Sequence, residues 1–307
     1  METEEFTKAY YIKLGKGGKW EESSIRENKV RIGWLDWALE EINQGNWKSL
    51  KDNHYKEYTS KGAATMDINA LKTIVESTPD DIWITFHASQ LWWGRLANGK
   101  VQKDAESKYR LLAGVWQNRD VSGNPLLVNQ IPGNISMVQG FRATVCKVSD
   151  IDSLKRLINN VPSDDYTKIA QARNALIEEI KKGLKKLYWK DFENLIDLLF
   201  RNAGWRRLSL VGEQMKYADM ELEEPITGEL YQVQVKSEAT LDDFDEYARN
   251  FSHGSFRKLF FVVHSPKGKL INYRADKYEN VELVLPDKLA RMVVEFGLTE
   301  WLLKKIK

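Results

Sequence analysis

The chain has 307 residues, 42% hydrophobic and 29% charged, which allows two packed domains and excludes wholesale disorder. No apolar run approaches the roughly 18–20 residues that span a bilayer, and the first residues, METEEFTKAYYIKL, carry no signal-peptide stretch. One cysteine, Cys146, and four scattered histidines (His54, His87, His253, His264) exclude an internal disulfide and show no metal-ligand spacing, so a reduced, cytoplasmic protein is expected.

Net charge is +2. Residues 1–150 carry 20 Lys and Arg against 19 Asp and Glu, and residues 151–307 carry 26 against 25. Any nucleic-acid surface must therefore be local. The asymmetry is aromatic: eight of eleven tryptophans lie in the first 150 residues.

In chain order, short apolar runs predict strands at 9–14, 30–33, 82–86, 91–96, 111–116 and 137–148. Asn98-Gly99 and residues 122–125 are turn signals, and 34–42 and 68–75 have helical spacing. Many short strands with irregular connections point to a small β-barrel over residues 1–160. A boundary near 161–164 precedes a linking helix to residue 188. Its start is capped by Ser163 or Asp164, and Ile169, Leu176, Ile177, Ile180 and Leu184 form its apolar stripe. The basic end, residues 181–190, suits a solvated helix terminus or a phosphate-facing patch.

Residues 189–307 read as an α/β sandwich. An amphipathic helix at 191–202 presents Phe192, Leu195, Ile196 and Leu199, with Gly204 just past its end. A strand at 207–211, a hairpin turning at 224–228, and a helix with a capping box at Thr240 follow. Strands at 259–263 and 281–285 and a closing helix at 288–304 complete the order. The fold class is thus α+β in two domains.

Residues 216–238 carry the chemistry. Alternate residues of a strand share a face, so Asp219, Glu221 and Glu223 line up on one arm, and Gln232, Gln234 and Lys236 on the other. With 224–229 as the loop, Glu223 pairs with Leu230 and Asp219 lies opposite Gln234. A carboxylate, an amide oxygen and an ammonium converging there suit phosphodiester hydrolysis, because Mg²⁺ takes hard oxygen ligands and leaves sites for water and phosphate. Lys236 would position the attacking water or deprotonate it. An exposed Asp219–Lys236 cross-strand ion pair is the plainer alternative.

The run 189–265 resembles the catalytic domain of Mrr-type restriction endonucleases, a branch of the PD-(D/E)xK nucleases. The matching residues are Phe192-Glu193-Asn194-Leu195, Ala203-Gly204-Trp205, Asp219, Gln234-Val235-Lys236-Ser237 and Phe260-Phe261-Val262-Val263. The resemblance implies Asp219 and Gln234 as metal ligands for Mg²⁺ (or Mn²⁺), Lys236 as catalytic lysine and Glu193 as a supporting acid. It also departs from the wider superfamily in carrying Gln234 where Glu is usual, which removes one negative charge. His264 reads as structural.

Residues 10–22, 81–96 and 134–148 look like PUA-like or EVE-like modules, which implies a reader of modified, extruded bases. Trp34, Trp83, Phe86, Trp92 and Trp93 are the base-pocket candidates, since bases stack on aromatic faces. Ser89, Gln90 and Asn118 are candidates for a base edge, and Arg95, Lys108, Arg110 and Arg142 for phosphates. Residues 14–19, LGKGGK, fail as a phosphate loop: the glycine spacing is wrong and Trp20 stands where Ser or Thr is needed, so no NTP is expected. The expected function is a modification-dependent DNA endonuclease, homodimeric so as to cut both strands. A structure-specific repair or junction nuclease, and a nucleic-acid-binding module without catalysis, are the alternatives.

Overall fold

The structure, a computed structural model, describes residues 3–54, 61–208, 218–251, 254–274 and 277–307. It divides into two units, Met1–Asp164 and Asp165–Lys307.

The first unit runs β1 (Ala9–Ile12), α1 (Glu21–Glu27), β2 (Lys29–Ile32), α2 (Leu39–Gln44), α3 (Trp47–His54), α4 (Lys61–Glu76), β3 (Ile82–His87) and β4 (Gln90–Arg95). Then come β5 (Gln102–Lys103), β6 (Lys108–Leu111), α5 (Gly133–Ser136), β7 (Val145–Lys147) and α6 (Ile151–Asn159). The β3–β4 hairpin closes on Ala88 and Ser89, both with positive φ (49° and 59°), the geometry whose twist matches a two-residue hairpin.

Among the described residues of this unit the strands form two open sheets, β4-β3-β1-β7 and β2-β6-β5, and not the expected barrel. β1 runs parallel to β3, a pairing that needs a long crossover, here filled by α1 to α4. Three expectations fail locally. The strand at 111–116 ends at Leu111, and Leu112 makes only an isolated bridge to Leu96. Of 137–148 only Val145–Lys147 is strand, because a 3-10 turn occupies Met137–Gly140. Helix α2 starts at Leu39, since Trp34 takes a left-handed φ of 56°. Helix α6 was not foreseen, although its cap is written in the chain: Asp150 accepts from the Ser153 N–H.

The second unit holds α7 (Asp164–Leu184, its first residue ending the first unit), α8 (Trp189–Asn202), β8 (Arg206–Arg207), β9 (Met220–Glu223) and β10 (Leu230–Ala239). Next are α9 (Leu241–Asn250), β11 (Phe256–Pro266), β12 (Val281–Val284), α10 (Pro286–Glu295) and α11 (Thr299–Ile306). Residues 209–211 of the strand expected at 207–211 lie outside the described residues, as does His253. The five-stranded sheet has the order β12-β11-β10-β9-β8, parallel from β10 to β12 and antiparallel from β8 to β10.

Alternation on β10 and β11 divides the core in two. Val233, Val235 and Val262 pack under α7, α8, α10 and α11. Phe261 and Val263 meet Phe244 and Ala248 of α9 on the opposite face. Helix α8 is the main anchor: Phe192, Leu195, Ile196, Leu199 and Phe200 are buried, each contributing about 1.5–3 kcal/mol. In α7 only Ile177, Ile180 and Leu184 of the expected stripe are buried, while Ile169 and Leu176 face solvent. The single closing helix splits into α10 and α11 at Gly297, whose φ of 72° no helix accommodates.

Candidate active site

The β9–β10 hairpin fixes the site. Its loop is self-bonded: the Glu224 carboxylate accepts from the Thr227 N–H at 2.7 Å and the Thr227 hydroxyl at 2.8 Å, which holds that carboxyl below its usual range. The register is the one alternation predicts, Glu223 with Leu230 and Val233 with Met220. Asp219 therefore meets Gln234. Its N–H donates to the Val233 carbonyl at 2.9 Å. Its Oδ2 accepts from Gln234 Nε2 at 2.5 Å and from the Val235 N–H at 2.6 Å.

Gln234 is 4% exposed, so its amide is committed to this carboxylate. Burial raises the Asp219 carboxyl against the lowering pull of the Val235 N–H, Lys236, Gln234 and Arg207. Glu193, half-buried on α8, is raised too, by burial and by the negative charge of Asp219, with Arg207 and Lys190 opposing. Two carboxyls in one field each make the other harder to ionise.

Lys236 extends towards α9, its Nζ 5.0 Å from the centre of the Tyr247 ring. Burial lowers its pKa, but the Tyr247 hydroxyl bond and the charges of Asp219 and Asp243 outweigh that, and the net shift is upward. The lysine is thus held as a cation. Sequence reasoning named neither Tyr247 nor Arg207 for this site. Arg207 Nη2 reaches the Asp219 carbonyl at 3.4 Å, while its Nη1 lies 3.6 Å from Asp197 on α8. An Arg in a strand beside acidic residues gave no distinctive signal. His264 packs edge-on against Phe192 at 4.4 Å, buried, with burial lowering its pKa.

Among the described residues no group of three His, Cys, Asp or Glu is placed to hold a metal. The donor set here fits the sparser demand of Mg²⁺: one or two carboxylates and a carbonyl oxygen, the rest being water and phosphate. As oriented, the Gln234 NH₂ faces Asp219. Turning the amide over sets two acceptors side by side, which a cation between them stabilises.

The first unit contains a cleft of about 450 Å³ whose lining includes Trp20, Trp34, Asp67, Lys13, Lys16 and Arg142. That volume lies in the range of small-molecule sites. Trp34 is fixed from two sides. Its indole N–H donates to Asp67 Oδ2 at 2.9 Å, and its carbonyl accepts from buried Lys108, whose pKa burial pulls down to about 8. Gly15, at φ 83°, lets the loop approach Trp20: a Cβ there would stand 2.9 Å from the indole ring.

Of the five base-pocket candidates, only Trp34 lines this cleft. Trp83 is fully buried and donates to the Ser77 hydroxyl at 2.8 Å. Phe86 and Trp93 are core residues, and the indole of Trp92 is tied to the His87 carbonyl. Their aromatic faces made them candidates, but other elements pack over both faces of that sheet. Gln90 and Asn118 bond each other, and Ser89 forms the hairpin turn. Lys108 and Arg110 are buried and donate to backbone carbonyls, and Arg95 pairs with Glu4 at 2.8 Å, so none of the three is a phosphate contact; Arg142 remains exposed at the cleft. Trp20 and Asp67 were missed because they approach from separate segments. The glycine-rich run 14–19 was the available signal.

No family model matches the sequence, and the search of curated proteins found no match. Among solved structures, the MspJI restriction endonuclease in complex with a 27-mer oligonucleotide aligns over 81% of this chain and 70% of its own. The identity is 10% and the TM-score 0.28. The restriction endonuclease FokI bound to DNA aligns over 93% of this chain but 46% of its own, at 13% identity and a TM-score of 0.25. Scores this low assign neither a fold nor an activity.

Proposed function

We propose that this chain is a divalent-metal-dependent DNA endonuclease whose first unit reads a modified, extruded base. The observation that carries the reading is the β9–β10 hairpin, where Asp219, Gln234 and Lys236 occupy neighbouring strand positions with Glu193 in the same field. Asp219 and Gln234 would hold Mg²⁺ (or Mn²⁺), with Glu193 in support. A bound Mg²⁺ would supply a water of lowered pKa and neutralise phosphoryl oxygens.

This chain's own contribution is positional. Lys236, kept protonated beside Tyr247, donates to the phosphate oxygen that gains charge as water adds to phosphorus and the opposite P–O bond breaks. A protonated lysine is no base, so the attacking water's proton passes to bulk solvent, which also protonates the departing oxygen. The hairpin register holds this lysine and the carboxylate in one place, and the Tyr247 contact on α9 limits its swing. Cutting both strands of a duplex takes two such sites, so the acting species is a homodimer.

The cleft beside Trp34 supports the reader half of the proposal, because an aromatic wall with a rim of cations suits one extruded base and its flanking phosphates. No helix among the described residues is long and apolar enough to cross a membrane. The test is a cleavage panel on plasmids carrying different base modifications, with and without Mg²⁺. Cleavage that needs both the metal and a modification supports the reading. Metal-dependent cleavage indifferent to modification leaves a nuclease without a reader, and no cleavage of any substrate overturns the enzyme assignment.

A further inference from the structure

We infer that the turn between α7 and α8, with Lys185, Lys186 and Lys190 around Tyr188 and Trp189, is the surface on which the second unit holds the sugar–phosphate backbone of DNA beside the bond to be cut. The inference rests on the reading of this unit as a nuclease and names the contacts that would hold its substrate. The cations of the basic run 181–190 are not equivalent. Lys181 is bonded to Asp287 at 2.6 Å and Lys182 to Glu179 at 2.7 Å, so both charges are neutralised within the protein. Lys185, Lys186 and Lys190 are exposed, and among the described residues none of the three forms a salt bridge.

The turn is anchored. Leu187 is buried in the core of the second unit, the Lys186 N–H donates to the Gly183 carbonyl at 2.9 Å, and the Leu187 N–H to the Leu184 carbonyl at 3.2 Å. With Leu187 turned inward, its neighbours face water: Tyr188 is 61% exposed and Trp189 46%. Their rings lie 5.5 Å apart, and Lys190 Nζ stands 5.2 Å from the centre of the Trp189 ring. Adjacent exposed rings among ammonium groups suit a nucleic-acid backbone, since the cations meet phosphates and the flat faces pack on sugars or an unstacked base. The turn also borders the candidate site. Lys190 precedes Glu193 by three residues, so the two share one face of α8, about 4.5 Å apart along its axis. The charge of Lys190 acts on Glu193, and that of Lys185 on His264, the residue after the strand partner of Lys236. A strand whose phosphate reaches Lys236 then meets cations, and not only carboxylates, at this edge.

The experiment uses the full chain without divalent metal, so that binding is read apart from cleavage. Fluorescence anisotropy follows its titration onto an unmodified duplex at salt concentrations from about 50 to 200 mM. A lysine on a phosphate releases counterions, so its loss lowers the slope of log affinity against log salt by about 1. The triple variant Lys185→Gln, Lys186→Gln, Lys190→Gln keeps much of each stem without the charge. It should lower the slope by about 2–3 and weaken modified and unmodified duplexes alike, because backbone contacts carry no base information. Lys181→Gln with Lys182→Gln should leave the slope where it was, since those two ammoniums already have carboxylate partners. Trp189→Ala should weaken binding about 5-fold with the slope unchanged.

A slope unmoved by the triple variant, in a chain that still cuts plasmid with Mg²⁺, overturns the inference while the nuclease stands. An equal fall from the Lys181 and Lys182 pair overturns it too, because bulk charge then accounts for the binding. Vesicles of phosphatidylserine and phosphatidylcholine are the second probe: vesicle binding lost in the triple variant, with the DNA slope intact, makes this turn a membrane surface and overturns the assignment to DNA. If the unaltered chain neither binds nor cuts any duplex, the nuclease reading falls and the inference with it. Thermal unfolding of the triple variant should match the unaltered chain, which separates loss of contact from loss of fold.

Discussion

The carboxylate site of the second unit is built largely from contiguous chain, residues 219–236 of one hairpin, whereas the cleft of the first unit draws on residues 13–20, 32–34, 67 and 142–144. In the hairpin, strand alternation and a self-bonded loop fix which side chains converge. In the cleft, convergence comes from packing: Gly15 lets a loop lie on Trp20, Lys108 props the turn at Trp34, and α4 brings Asp67 up to the indole. A site made by local register tolerates changes far from it. A site made by packing is sensitive to the buried groups behind it.

The sharpest way to break the comparison is at the hairpin. Lys236→Ala is expected to slow Mg²⁺-dependent plasmid cleavage by about 10²–10³-fold, the worth of a fixed charge at the reacting phosphate. Near-UV circular dichroism should stay unchanged. Undiminished cleavage would remove the lysine from the chemistry. Next in size, Trp34→Ala should weaken binding of a preferred modified duplex by about 5–150-fold, the worth of stacking one base. Anisotropy titration reads it, and the metal requirement of cleavage should not move.

Asp219→Asn should act oppositely on stability and activity. The Asp219 carboxyl is raised in the folded chain, chiefly by burial, so its ionised form costs stability near neutral pH, a cost relieved as pH falls through the raised value. The neutral amide should raise the melting temperature in EDTA, remove any further rise on adding Mg²⁺, and abolish cleavage. An unchanged metal response would place the ion elsewhere.

Lys108 tests the packed site by pH. Its folded pKa, about 8, lies below its ordinary value of about 10.5. Below pH 8 the buried ammonium costs stability in full. Between about 8 and 10.5 the unfolded chain binds the proton and the folded chain does not, so stability rises with pH across that window. Lys108→Met should flatten the rise in a series of denaturant titrations. A further effect belongs to Gly15→Ala, about 1–3 kcal/mol for a residue at φ 83° and ψ 165°, a region that glycine alone adopts readily, with the push on Trp20 adding to it. It should cost reader affinity before it costs fold.

Much of the second unit was legible in the chain. Period-two alternation placed Asp219 opposite Gln234, the Thr240 capping box started α9, and the apolar run at 259–263 marked strand β11, which lies between β10 and β12. The first unit was harder. Its strands were found where apolar runs are strong, as at β1, β3 and β4, but their arrangement was read as a barrel because pairing order leaves no trace in a short strand. Trp83 and Trp93 could not be told from Trp34: all are large apolar residues with a polar N–H, and their partners, Ser77, Arg119 and Asp67, lie 6, 26 and 33 positions away.

The sequence by itself determined the hairpin, its register and the polar face it presents, because hydrogen-bonded neighbours there are also near neighbours along the chain. Which tryptophan faces a cavity, which lysine is buried beneath it, and which carboxylate meets the indole were decided only by the tertiary structure. Those contacts join distant segments, and their energy comes from burial that no local pattern encodes.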